Sequence, residues 1–241
     1  MKPELLSEIA PTGRLRVGLN YQNFLLVLKD APDGTPRGVA PDLGRELGRR
    51  LGVPVEFVPH KNAGSLADSV NHGTWDVAFL GSEPSRAGSI AFSSAYLEIP
   101  VTFLVPPGSP IRAIADIDRA GVRIAVSDKS AYDLYLTRTL KNAQLVRIAG
   151  IPQSYEAFVS QKLEALGGLK PQLVADAEKL PGSRVLEGQI TGVQQSIGTP
   201  RSRERTAAYL REFVEEIKAS GIVARTIEKN GVRGVTVAPA A

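Results

Sequence analysis

The sequence predicts an α/β protein of two domains, one inserted into the other. Short β-branched runs alternate with amphipathic helical segments along the chain, the pattern of parallel sheets covered by helices. A rigid break, Val105-Pro106-Pro107-Gly108-Ser109-Pro110, follows a strand and opens a second alternating series. A later extended stretch, Gly192–Gly198, ends at a helix, so the chain is expected to cross between domains twice. The 241 residues accommodate two domains of roughly 100–120 residues each. Residues 1–105 and 197–241 are expected to form the first domain and residues 106–196 the inserted second.

The elements follow in order. Strands are expected over Leu15–Leu19, Val53–Val58, Asp76–Leu80, Val101–Val105, Val122–Val126, Leu145–Ile148 and Ile190–Ile197. In Pro41–Leu51 the apolar residues Leu43, Leu47 and Leu51 recur every four positions, with Arg45, Glu46, Arg49 and Arg50 turned away. Pro41 suits the first helical turn and Gly52 the stop. Asp33-Gly34 reads as a hairpin turn joining Phe24–Leu28 to a strand at Arg37-Gly38-Val39. Over Pro200–Ala219 the stripe Tyr209, Leu210, Phe213, Val214 and Ile217 predicts a helix with Thr199 as N-cap.

Composition excludes several function classes. Hydrophobic residues are 43% and charged residues 22%, ordinary for a folded chain. The net charge of +4 comes from scattered basic residues, and the densest cluster, Arg201, Arg203 and Arg205, is interrupted by Glu204. With aromatics at 6% there is no basic and aromatic interleaving, so no nucleic-acid partner is expected. No run approaches the ~18 apolar residues of a membrane span. Met1–Ala10 carries Glu4 and Glu8 and no apolar h-region, so it does not read as a signal peptide. Either a signal has been removed or the protein stays inside the cell. The absence of cysteine excludes disulfides and thiolate chemistry. His60 and His72 are too few and too poorly spaced for a metal site and read as surface residues. Trp75, just before a buried strand, reads as packing. No Ser-His-Asp order, phosphate loop or metal-ligand cluster is present, and no cofactor is expected.

Four segments carry a resemblance. They are Leu15-Arg16-Val17-Gly18-Leu19-Asn20, Gly38-Val39-Ala40-Pro41-Asp42-Leu43, Leu51-Gly52-Val53-Pro54-Val55-Glu56-Phe57-Val58, and the block Gly73-Thr74-Trp75-Asp76-Val77-Ala78-Phe79-Leu80 leading through Arg86 to Ile90-Ala91-Phe92-Ser93-Ser94-Ala95-Tyr96. Arg86 stands six residues before Phe92-Ser93, and Tyr96 four after Phe92. In this order and spacing the chain resembles the family 3 bacterial solute-binding proteins, the periplasmic amino-acid-binding type. The resemblance implies a two-domain periplasmic-binding-protein-like (type II) fold with a ligand cleft between the domains. It also implies a monomeric, non-enzymatic protein of the periplasm that binds a small carboxylate-bearing solute and partners an ABC transporter permease, for uptake or for sensing. A few proteins of the fold are dehydratases acting on prephenate or arogenate, which keeps an enzyme as the alternative.

The resemblance also assigns site residues. Arg86 is the expected carboxylate clamp, and a guanidinium suits this because it pairs bidentately and stays charged when desolvated. Gly81, Ser82 and Glu83 lead into it, and Glu83 is the expected acceptor for a ligand ammonium. Asn20, Tyr21 and Phe24 follow the first strand, where family members place an aromatic lid; Phe24 reads equally as core. Ser130, Ala131 and Tyr132 open a helix whose N–H groups suit an anion, although Ser130 with Asp133 is equally a capping box. Many relatives carry an aspartate in the second domain that pairs with the ligand's ammonium. That position holds Leu169 here, with Lys170 beside it, so either Glu83 replaces it or the ligand lacks an amine.

Overall fold

The computed structural model describes residues 3–28 and 34–241. The chain divides into two units, one of Met1–Glu98 with Gln194–Ala241 and one of Ile99–Val193. Both divisions fall inside strands, Ile90–Val105 and Thr191–Pro200, rather than at the Pro106-Pro107 break.

The first unit begins with α1 (Pro3–Ile9), β1 (Leu15–Asn20), α2 (Val39–Leu51), β2 (Val55–His60), α3 (Ala63–Asp68), β3 (Val77–Gly81) and the start of β4 (Ile90–Val105). β1 lies between β2 and β3 and is parallel to both, with Asn20 opposite His60 and Leu19 opposite Phe79. β1 is buried on both faces. At Gly18 an added Cβ would lie 2.6 Å from Leu66 Cδ1, so this glycine lets the Leu66 and Trp75 cluster sit directly on the strand. α2 buries Leu43, Leu47 and Leu51 and ends at Gly52 in the left-handed region at φ 71°. Trp75 is buried and donates from Nε1 to Ser69 Oγ at 2.8 Å, which is its packing role.

The inserted unit contains β5 (Arg123–Ser127), α4 (Ala131–Thr139), β6 (Gln144–Ile148), α5 (Ile151–Ser160), β7 (Ala165–Leu169), α6 (Lys170–Glu178) and β8 (Arg184–Val185). β5 is parallel to β6 and to β7, and β7 pairs antiparallel with the far half of β4. β7 was not among the strands expected from β-branched runs, because Ala-Leu-Gly-Gly-Leu has little strand propensity of its own. Tertiary packing overrides this: a Cβ added at Gly167 would lie 3.3–3.4 Å from Val126, Leu136 and Phe103. β9 (Thr191–Pro200) then returns to the first unit, pairs antiparallel with β3, and leads to α7 (Glu204–Ala219), α8 (Ile222–Lys229) and β10 (Thr236–Val237).

Two local expectations are corrected. Val39 starts α2 instead of extending a strand, and among the described residues the hairpin's pairing is the bridge Leu28 to Arg37. Phe24–Leu26 form turns, with the N–H groups of Leu26 and Val27 donating to Asn23 O, so they are not available for a ladder. Asp33 lies outside the described residues. Thr199 is not an N-cap either. It is buried in β9 and its Oγ1 donates to Asp76 O at 3.0 Å, while α7 begins at Glu204. The cap for α7 comes from α1, where Glu8 Oε1 accepts from Thr206 N at 2.7 Å.

Behind this return sits a buried ionic cluster. Asp76 is fully buried and accepts from Arg16 N, Nε and Nη2 at 2.8–3.0 Å and from Arg203 Nη1 at 2.8 Å. The carboxylate thus joins the start of β1 to the segment entering α7, bringing the two chain portions of the first unit together.

Candidate functional site

The site is built at the carboxyl ends of the parallel strands of the first unit, where open α/β sheets place their ligands. β3 ends at Gly81, and Ser82 is held by its N–H donating to Gln194 O at 2.8 Å, with Ser82 Oγ on the same carbonyl at 3.3 Å. Glu83 then precedes a single 3-10 turn, Pro84–Arg86, in which Arg86 N donates to Glu83 O at 2.9 Å. The turn folds Arg86 back on its own strand, and Nη1 donates to Gly81 O at 2.6 Å.

Arg86 is only 6% exposed. Burial pushes its pKa down to about 10, and the carboxylates of Glu83 and Asp68 oppose the fall. The guanidinium therefore carries its charge at neutral pH while most of its hydration is gone. A desolvated fork of donors in a loop at a strand end is suited to a planar anion. Glu83 Oε2 is itself buried in the same loop.

The neighbouring strand ends complete this edge. Asn20 Oδ1 accepts from Gln22 N at 3.1 Å, and Tyr21 N donates to His60 O at 3.1 Å. Tyr21 and Phe24 are half-buried, and the core positions of that loop are taken by Leu26 and Val27. Asn20, Tyr21, Phe24, Gly81, Ser82, Glu83 and Arg86 are thus brought to one edge by β1 and β3. Two residues there were not anticipated. His60 is half-buried rather than on the surface, with Nε2 shut off from solvent, and burial lowers its pKa. Asn23 is 8% exposed. The polar run Asn20-Tyr21-Gln22-Asn23 directly after a strand was the available signal for Asn23. His72, by contrast, is exposed as expected.

In the inserted unit the expected residues also sit at carboxyl strand ends, Ser130, Ala131 and Tyr132 after β5 and Lys170 after the adjacent β7. Ser130 Oγ accepts from Asp133 N at 3.1 Å and caps α4. Asp133 does not close the box onto Ser130; its carboxylate is buried, accepting from Lys129 N at 2.9 Å and Arg147 Nε at 3.0 Å. Ser130→Ala should therefore lower unfolding stability by about 1 kcal/mol, the usual worth of an N-cap, as read by urea denaturation; no change would remove the capping role. Tyr132 is buried, which pushes its hydroxyl up to about 12. Lys170 Nζ donates to Gly188 O at 3.3 Å, and Leu169 is buried at the end of β7.

The sequence pattern of the bacterial extracellular solute-binding proteins, family 3, matches residues 15–232. The chain belongs to that family. Solved structures of similar fold include an amino acid ABC transporter substrate-binding protein from Streptococcus pneumoniae bound to L-arginine, at 18% identity and TM-score 0.77, covering 97% of this chain and 99% of that one. A second is an ancestral amino acid-binding protein, a precursor of cyclohexadienyl dehydratase, at 24% identity and TM-score 0.76, covering 93% and 98%. A third is holo ArgBP from T. maritima, at 22% identity and TM-score 0.74, covering 92% and 98%. These likenesses establish the fold of this family 3 protein. Among its described residues no helix is long and apolar enough to cross a membrane, and no group of three or more His, Cys, Asp or Glu is placed to hold a metal.

Proposed function

We propose that this family 3 protein binds an α-amino acid or a closely related small carboxylate and presents it to an ABC-type permease outside the cytoplasm, with Arg86 as the carboxylate clamp. The observation that carries the reading is the buried, charged guanidinium at the carboxyl edge of β1 and β3. The fold is shared with proteins whose bound ligands include L-arginine. Isothermal titration against a panel of L-amino acids and amine-free organic acids tests it; an absence of binding to any of them would overturn it.

Glu83 stands for the ammonium. Its carboxylate lies close enough to Arg86 to raise that residue's pKa, and one of its oxygens is buried. Glu83→Gln should weaken an α-amino acid about tenfold or more, in line with a charge-assisted hydrogen bond of about 1.5–3 kcal/mol, and spare the matching amine-free acid. Equal loss for both ligands would make Glu83 a support for Arg86 instead.

Binding is favoured over dehydratase chemistry. Elimination needs an acid positioned by the leaving group, and Glu83 is the one carboxylate that the Arg86 loop itself carries. Incubation with prephenate or arogenate is expected to give no product.

A further inference from the structure

The chain leaves the first unit at Glu98 and re-enters it at Gln194. These two residues are tied to each other. Gln194 Nε2 donates to Glu98 Oε2 at 2.7 Å, a short bond of the charge-assisted kind. Glu98 is half-buried in β4, the strand beside β9, and its backbone is paired with Thr236 of β10. Among the described residues Glu98 forms no ion pair, so its carboxylate serves a neutral amide. The backbone of the same Gln194 carries the start of the Arg86 loop. Gln194 O accepts from Ser82 N at 2.8 Å and from Ser82 Oγ at 3.3 Å. In the ladder between β3 and β9, Gly81 stands opposite Gln195. The Ser82 bond therefore extends that ladder by one residue, just before the chain turns off through Glu83 into the 3-10 turn that bears Arg86.

We propose that Glu98 and Gln194 are positioning residues for ligand binding: their side-chain bond holds Gln194 O in place, Gln194 O holds Ser82, and Ser82 fixes the loop that presents Arg86. This rests on Arg86 being the clamp. Ladder ends are where a sheet opens at least cost, and Ser82 is such an end. A two-pronged guanidinium contact tolerates displacement poorly, because both donors must meet both oxygens, and functional groups hold their geometry to roughly 0.5 Å only when the residues behind them are themselves bonded. Arg86 Nη1 on Gly81 O at 2.6 Å refers the guanidinium to the same strand end, so a shift there displaces it. The effect belongs to the carboxylate of the ligand and not to its remainder. Glutamine at position 98 keeps the acceptor and the length and is expected to preserve the tie.

Two readouts test this on wild type, Glu98→Ala, Glu98→Gln, Gln194→Ala, Arg86→Ala and the double variant of Glu98→Ala with Arg86→Ala. The first is isothermal titration with L-arginine, L-lysine and L-glutamine and with their methyl esters. For the tightest of the three acids, Glu98→Ala and Gln194→Ala should each weaken binding about tenfold, as losing a hydrogen bond to a charged group does, while the ester changes little. Glu98→Gln should stay near wild type, and the double variant should bind no worse than Arg86→Ala alone. The second is amide hydrogen exchange without ligand. In Glu98→Ala the Ser82 amide should exchange about tenfold faster while amides in the middle of β1 keep their protection, which separates a local release from a general loss of stability. Thermal melting by circular dichroism establishes that each variant is folded. Equal losses for acid and ester, wild-type affinity in Glu98→Ala, or an unchanged Ser82 amide would overturn the positioning role and leave the clamp standing. Binding unaffected by Arg86→Ala, or no binding of any of the three acids, would overturn both.

Discussion

Replacing Arg86 by alanine should weaken ligand binding by about 2–5 kcal/mol, the range for removing one member of a desolvated charge pair. In Kd this is roughly 30-fold to several thousand-fold. The expectation follows from burial. Arg86 is almost fully enclosed and is positioned by Gly81 O at 2.6 Å and by the 3-10 turn from Glu83, so the chain has already borne the loss of its hydration. A ligand carboxylate arriving there would meet a guanidinium that needs little further reorganisation. Arg86→Lys should recover only part of the affinity, because a lysine supplies a point charge without the planar fork. Folding is the control. Thermal melting of the ligand-free variant should show a cooperative transition at a lower temperature than wild type, because the hydrogen bond to Gly81 O and the charge facing Glu83 are lost. Calorimetry on Arg86→Ala at near wild-type affinity would remove the clamp.

Asp76→Ala should destabilise the protein by about 3–5 kcal/mol, the cost of breaking a buried ion pair by deleting one partner. Asp76 is fully buried and receives two arginines and a backbone N–H. Its removal strands Arg16 and Arg203, whose side chains are each 19% exposed. The attraction of Asp76 already raises the proton affinity of Arg16, chiefly through their hydrogen bonds. Asp76→Asn keeps the volume and one acceptor and should cost less. Urea unfolding measures both. A change below 1 kcal/mol for Asp76→Ala would mean that water replaces the carboxylate and that the segment entering α7 is held by packing alone. The ligand affinity of a folded Asp76→Asn should match wild type, because the cluster lies at the amino end of β3 while Arg86 follows its carboxyl end.

The parallel core of the fold was legible because β1, β2, β5 and β6 are rich in β-branched and large apolar residues set between turn signals. β7 was not, since its two glycines serve close packing, Gly167 against Phe103 and Leu136 and Gly168 against Leu173, and weaken the local strand signal. Thr199 looked like a cap because Thr-Pro before an amphipathic stripe is a helix start in local terms. A distant partner, Asp76 O, decided otherwise. Likewise the polarity of Glu8 gives no hint that it caps a helix two hundred residues later. In the candidate site, the spacing to Phe92 and Tyr96 singled out Arg86, which the structure buries at a strand end, and Glu83 was singled out by lying within one turn of it. His60 was hidden: a lone histidine at the end of a run reads as solvated, and its burial arises from neighbours brought in by other strands.

The most direct test of the account compares one ligand with and without its carboxylate. The tightest amino acid from the panel and its methyl ester, titrated into wild type and Arg86→Ala, form a double cycle that isolates the guanidinium–carboxylate interaction. The account predicts that the ester binds wild type at least thirtyfold more weakly than the acid and that Arg86→Ala barely distinguishes the two. An ester that binds wild type as tightly as the acid would contradict it.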